Sequence, residues 1–272
     1  MNKEKHKSVQ IDHNPDFPSS FVEKRNIEVM LPPGYPEKNK SYDVLYIHDG
    51  QNVFNPETSY GGVAWELDSV MVSLLKEQEI RPVIVVAIWN TPMRMQEYMP
   101  AKPQELVNKK AVRKGWEGEI LSDNYLRFIV DELKPFIDSA YNTNSGQAHT
   151  FIMGSSMGGL ISLYALCEYP ETFAGAACLS THWPALDGVF LQYVKKNLPD
   201  PGNHLIYFDF GTKTLDAGYE NYQVKVDSIM KAKGYQSNEE WITRKFEGAD
   251  HSEKAWKERV HIPLLFLFGR EK

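Results

Sequence analysis

Cysteine is scarce in this chain, with two in 272 residues, Cys167 and Cys178. Both fall in apolar stretches, one predicted as helix and one as strand, where a thiol behaves as a small buried hydrophobe. Two such residues make no disulfide framework and lack the paired spacing of a zinc site. Basic charge is also in short supply. Lys and Arg total 30 against 36 Asp and Glu, a net charge of −6, so there is no electrostatic footprint for phosphates and no nucleic-acid partner is expected. Long apolar runs are missing too. Stretches such as residues 83–87 are far too short to span a bilayer, so no membrane span is expected. The opening MNKEKHKSVQ lacks the apolar core of a secretory signal. The expectation is a cytoplasmic protein, or an exported one whose signal has been removed. Nothing in the sequence specifies an oligomeric state, and no repeat, linker or low-complexity tract interrupts it.

What remains is an apolar fraction of 42% and a charged fraction of 24%, ordinary for a soluble globular chain. One α/β domain over residues 1–272 fits this length better than two small ones. Residues 1–20, polar and holding Pro15 and Pro18, read as a loosely held arm. After it, short apolar segments alternate with longer amphipathic ones, which predicts a mostly parallel sheet flanked by helices. The predicted strands are 26–31, 42–47, 82–87, 149–153, 174–179, 204–210 and 241–246, several of them dense in Val, Ile, Tyr and Phe as doubly covered strands should be. Apolar spacings of three and four predict helices over 66–76, 123–138, 157–168, 189–196 and 220–233. Residues 91–118 and 212–218 are polar connections of the kind that carry function.

Gly154-Ser155-Ser156-Met157-Gly158 matches G-x-S-x-G. At ordinary glycine and serine usage the bare pattern arises by chance about once in ten chains of this size, so context must decide. Here an apolar run precedes it and a predicted helix follows, as a nucleophile elbow requires: the sharp strand-to-helix turn tolerates only small neighbours and lifts the serine hydroxyl clear of the sheet. Ser156 is therefore the candidate nucleophile, and Ser155, at the x position, is the competitor. A serine hydroxyl needs a base to take its proton. Of the histidines that follow, His204 begins a strand, His261 sits in the tail and His182 follows the strand after the elbow. His251, in Gly248-Ala249-Asp250-His251-Ser252 between the last strand and a helical 253–259, is the candidate base.

An acid must fix the tautomer of that base. Asp216, six residues past Phe210, is preferred over Asp209, which ends the strand, and over Asp250, which neighbours His251 and would point elsewhere. A tetrahedral intermediate also needs backbone N–H donors. The residue after the nucleophile, Met157, supplies one, and the turn His48-Asp49-Gly50-Gln51 offers the amide of Gln51. His48-Asp49 has no third ligand at a metal-site spacing, so no metal is expected, and an acyl-enzyme route calls for no cofactor.

Residues 45–54 (LYIHDGQNVF), 154–159, Tyr169-Pro170-Glu171-Thr172-Phe173 and 248–252 closely resemble the putative-esterase family of α/β-hydrolases, from about Val29 onward. The resemblance implies an α/β-hydrolase fold without a large lid domain, a Ser156, His251 and Asp216 triad, and oxyanion amides at Gln51 and Met157. Its members include feruloyl and acetylxylan esterases, siderophore trilactone esterases, S-formylglutathione hydrolase and mycolyltransferases. It implies a small-molecule or polysaccharide ester as the partner, with feruloyl or acetyl xylan favoured. A siderophore esterase would need a basic cluster for a polyanionic iron complex, and the candidate pocket loops hold few Lys or Arg. A scaffold kept only for binding is the non-enzymatic alternative, which an intact triad argues against. Candidate substrate contacts are Trp65, after the H-D-G turn, and His182 and Trp183, after the elbow's next strand. Arg94, Glu97 and Tyr98 in the long loop add polar candidates.

Overall fold

The computed structural model describes residues 9–103 and 119–270; positions 1–8 of the predicted arm and 104–118 of the predicted long loop lie outside them. Eight strands form one sheet in the order β1-β2-β4-β3-β5-β6-β7-β8. These are β1 (Gln10–Phe17), β2 (Arg25–Leu31), β3 (Asp43–His48), β4 (Val83–Ile88), β5 (Thr150–Ser155), β6 (Gly175–Leu179), β7 (Leu205–Gly211) and β8 (Trp241–Phe246). Contacts from β4 through β8 are parallel, while β1–β2 and β2–β4 are antiparallel. The central strands β3, β4, β5 and β6 are buried at every residue, which is why they read as unbroken apolar runs. Alternate side chains feed two cores, one per face: Val44, Tyr46, Val86 and Ile152 on one, Leu45, Ile47, Val85 and Phe151 on the other. Helices cover both faces, as an α/β-hydrolase fold requires.

Short helical segments, Arg94–Tyr98 and Thr214–Gly218, form inside the two predicted loops, and three larger elements also differ from expectation. Residues 10–17 are an edge strand rather than a loose arm. Pro15 hid it, but Pro15 falls where the β1–β2 register shifts, between Asn14 and Phe17, a place where a missing N–H costs no ladder bond. Beyond it, Ser19 and the backbone of Ser20 bond to Glu132 at 2.6 and 2.8 Å. The helix predicted over 123–138 runs as Ser122–Arg127, a π-helical Phe128–Leu133 and Lys134–Ala140, the wider turn leading into Pro135, which cannot continue an ordinary ladder. The tail holding His261 is a helix, His261–Phe268. It carries no polar stripe, because Pro263, Leu264, Leu267 and Phe268 are all buried, so its periodicity was invisible. No described helix is long and apolar enough to cross a membrane.

Candidate active site

The parallel strands end on one rim, and the site is built from their outgoing loops. β5 stops at Ser155 and the helix Met157–Glu168 starts at once, so Ser156 alone turns the chain. It adopts φ 57° and ψ −118°, a costly conformation for a residue with a side chain. The turn is pinned by Ser156 N–H donating to the Leu179 carbonyl at 2.9 Å and His182 N–H donating to the Ser156 carbonyl at 3.2 Å. Glycine is needed at 154, where a Cβ would stand 2.7 Å from the Gly158 backbone; at Gly158 itself the nearest atom would be a comfortable 3.5 Å away. Ser155, the competitor, is a buried strand residue.

His251 lies between β8 and the helix Glu253–Arg259, whose amino end Ser252 caps by accepting from Ala255 N–H. Its backbone N–H donates to Thr214 Oγ1 at 2.8 Å, and its Nδ1 lies 2.6 Å from Asp216 Oδ1. The ring is edge-on to Trp256, with centroids 4.9 Å apart, and to Tyr219 at 5.8 Å. Asp216 is buried, and its other oxygen accepts from Ser180 Oγ and Gly211 N–H, each at 2.6 Å. Burial pushes this carboxyl up, but the bonds from His251, Ser180 and Gly211 outweigh it and hold Asp216 below the usual carboxylate range.

Asp209, the alternative acid, stands one layer behind. It accepts from Arg259 Nη2 at 3.0 Å, Arg259 Nε at 3.2 Å, Ser180 N–H at 3.1 Å and Tyr207 hydroxyl at 3.1 Å. Burial raises its pKa against the pull of Arg259. Ser180 joins the layers: its Oγ accepts from Arg259 Nη2 at 2.8 Å and Trp256 Nε1 at 3.0 Å while donating to Asp216. Ser180, Arg259 and Trp256 were not picked out from the sequence, and no local pattern marks them, since these bonds join positions 36 to 79 residues apart.

Across the pocket, Gly50–Asn52 forms a single tight turn after β3. A Cβ on Gly50 would meet the β4 backbone at 2.6 Å, which accounts for the glycine. Asp49, at φ 56°, receives Arg94 Nε and Nη2 at 2.7 Å each and Asn90 Nδ2 at 2.6 Å, and its N–H donates to the Tyr98 hydroxyl at 3.1 Å. Burial opposes ionisation of Asp49, but Arg94 holds its carboxyl below the usual range. Neighbouring His48 is buried with Nδ1 2.8 Å from the Tyr125 hydroxyl, and burial drives its pKa down to about 3. It is a neutral core histidine. Among the described residues no group of three His, Cys, Asp or Glu is arranged to hold a metal.

Ser156 and His251 line one cavity of about 410 Å³ together with Gln51, Arg94, Glu253 and Trp256. Tyr60, 77% exposed, stands at its edge. Several expected substrate contacts are elsewhere. Trp65 is buried behind Trp256 in an edge-to-face pair at 6.1 Å. Trp183 is in the opposite core, its Nε1 donating to Gln223 and its ring stacked near Phe190. Tyr98 is buried under Asp49 and Arg94, and Glu97 is buried in an ion pair with Arg25 at 2.6 Å. All three rings and Glu97 are support rather than lining, because their polar tips find protein partners or their faces complete the core. His182 stays near the site, half-buried with Nδ1 2.6 Å from the Tyr219 hydroxyl.

Residues 19–263 match the putative-esterase family, and the chain belongs to that family. It is 30% identical over 202 residues, 74% of this chain and 72% of the relative, to an uncharacterized protein, YjcH, of Bacillus subtilis strain 168. It is 26% identical over 245 residues to an endo-1,4-beta-xylanase/feruloyl esterase of Xylanibacter ruminicola, covering 88% of this chain but 29% of that larger protein. Among solved structures, a ferulic acid esterase superposes with a TM-score of 0.68 at 18% identity over 96% of this chain and 98% of its own. The enterobactin esterase FES of Shigella flexneri does so with 0.68 at 17% identity over 96% and 59%. At these identities the two structures speak for the fold.

Proposed function

We propose that this member of the putative-esterase family is a serine carboxylic-ester hydrolase that works through an acyl-enzyme on Ser156, on acyl esters of a plant polysaccharide such as feruloyl or acetyl xylan. The observation that carries the reading is the 2.6 Å contact of His251 Nδ1 with Asp216 in the cavity that Ser156 also lines. With Nδ1–H committed to Asp216, Nε2 of His251 is the basic nitrogen. It takes the Ser156 proton as Oγ adds to the ester carbonyl, and the amides of Gln51 and Met157 receive the oxyanion. The imidazolium, stabilised by Asp216, then protonates the departing alkoxide. Water, activated by the same nitrogen, releases the acid and restores Ser156. Apart from that water, the route draws on side chains and backbone amides.

The substrate class rests on the lining. Trp256 and the exposed Tyr60 offer flat apolar surface for a phenolic acyl group or a sugar. The one cation among the described lining residues, Arg94, is paired bidentately with Asp49, and Glu253 stands nearby, a poor reception for a polyanionic iron complex. That weighs against the siderophore reading which an enterobactin esterase neighbour raises, and the xylanase/feruloyl esterase relative supports the first. The test compares wild type with Ser156→Ala for release of ferulate from methyl ferulate and acetate from acetylated xylan. Wild type should turn over at least one, and the variant should lose several powers of ten. Hydrolysis of a simple aryl acetate alone would remove the substrate class and leave the chemistry. A variant as active as wild type would remove Ser156 as nucleophile.

A further inference from the structure

On the same rim, beyond β4, lies a second cavity of about 320 Å³ that the acyl-transfer chemistry does not use. Strand register explains its make-up. His13 pairs with Glu28 and Glu28 with Ala87, and residues two apart on a strand share a face, so His13, Asn26, Glu28 and Trp89 project from one side of the sheet. Farther along that side, Ile11, Met30 and Val85 belong to the apolar core. The face thus changes from apolar to polar at the rim, where polar side chains and a half-buried indole line the cavity. Trp89 is oriented by Nε1 donating to Glu28 Oε2 at 3.1 Å, and His13 Nδ1 lies 2.9 Å from Glu28 Oε1. Asn14, Pro15, Ile27, Asn55 and Thr58 make up the rest of the lining.

This cavity is coupled to the Ser156 pocket. Asn90, directly after Trp89, lines that pocket, and Thr58 Oγ1 donates at 2.8 Å to the carbonyl of Gln51, which also lines it. From β5 to β2 there are three strand steps, about 14 Å at ordinary sheet spacing. We propose that the cavity is a subsite for the glycan portion of the ester, seating a neutral sugar ring against Trp89 while Glu28, Asn26 and Asn55 meet its hydroxyls. The proposal deepens the polysaccharide-ester reading and rests on it. An aromatic face ringed by amides and a carboxylate suits an uncharged polyol, and the described lining has no Lys or Arg to attract an anion. The separation calls for a ligand several sugars long.

The test is calorimetric titration of unesterified xylohexaose into wild type, Trp89→Ala and His13→Ala, alongside kinetics on methyl ferulate and a feruloylated xylo-oligosaccharide. Wild type should bind xylohexaose, and Trp89→Ala should weaken it about tenfold, the loss of one stacking contact. His13, whose side chain is 67% exposed, gives a variant that keeps its fold should Trp89→Ala not, with a smaller weakening expected. The ratio of kcat/KM for the oligosaccharyl ester over the methyl ester should fall in parallel. No binding by wild type at millimolar sugar, or equal binding by wild type and both variants, overturns the subsite even if methyl ferulate is hydrolysed. Binding lost through Trp89 in a protein that hydrolyses no glycan ester keeps the subsite and removes the substrate reading instead.

Discussion

The two walls of the Ser156 pocket each rest on an arginine–aspartate pair, yet the pairs act at different depths. Arg259 and Asp209 are buried behind the histidine wall, with side-chain exposures of 4% and 0%, and among the described residues Ser180, whose hydroxyl bonds to Asp216, links them to the site. Arg94 and Asp49 form the opposite wall, and both line the cavity themselves. The first pair braces the carboxylate that bonds to His251, whereas the second fixes a backbone turn. A charge pair inside a protein is therefore not one kind of feature: what it contributes depends on whether a hydrogen bond carries it to a titrating group or a main-chain bond carries it to a loop.

Breaking the histidine wall at its front should have the largest effect. Asp216→Asn keeps the shape but cannot hold His251 in the right tautomer, so kcat on the turned-over ester should fall by about four powers of ten while far-UV circular dichroism stays that of wild type. Breaking the same wall at its back should show in stability. Arg259→Met strands the buried Asp209, and urea unfolding should report a loss of about 3–5 kcal/mol, with a smaller fall in kcat transmitted through Ser180. An activity loss in Arg259→Met as deep as that of Asp216→Asn would erase the distinction between front and back. The facing wall should be milder. Arg94→Gln leaves Asp49 with Asn90 and partial access to water, so a loss of about 1–2 kcal/mol is expected, with KM rising more than kcat falls.

The same contrast explains what was legible in the sequence. Ser156 and His251 sit in contiguous motifs bounded by strand and helix signals, and those seven predicted strands form within a residue or two. β1 was lost to Pro15, and the helix His261–Phe268 to the absence of any polar face. Trp65 and Trp256 look alike in one dimension, but only Trp256 faces the cavity, because the helix after His251 turns it there and leaves Trp65 behind it. Ser180 had no signal at all. Its importance lies in bonds to Asp216, Trp256 and Arg259, residues far along the chain, and it takes a positive φ of 40° directly after β6 ends.

The smallest effect at neutral pH belongs to His48, which sharpens the comparison as the pH is lowered. Its folded pKa is depressed to about 3 by burial, while an exposed histidine titrates near 6.5. Between those limits the unfolded chain takes up a proton that the folded one refuses, so stability must fall as pH drops from about 6.5 toward about 3, with this residue costing at most about 1.4 kcal/mol per unit. Asp216 and Asp49, both held below the usual carboxylate range, work in the same direction but over a lower window, losing their contribution as pH falls through their folded values. His48→Asn retains a polar atom for the Tyr125 hydroxyl and removes the proton. Urea titrations at successive pH values should therefore be flatter for the variant between about pH 6.5 and about 3, and parallel to wild type below that window. If the two curves coincide throughout, His48 takes up its proton in the folded state, and the wall beneath Asp49 is more open to water than its burial implies.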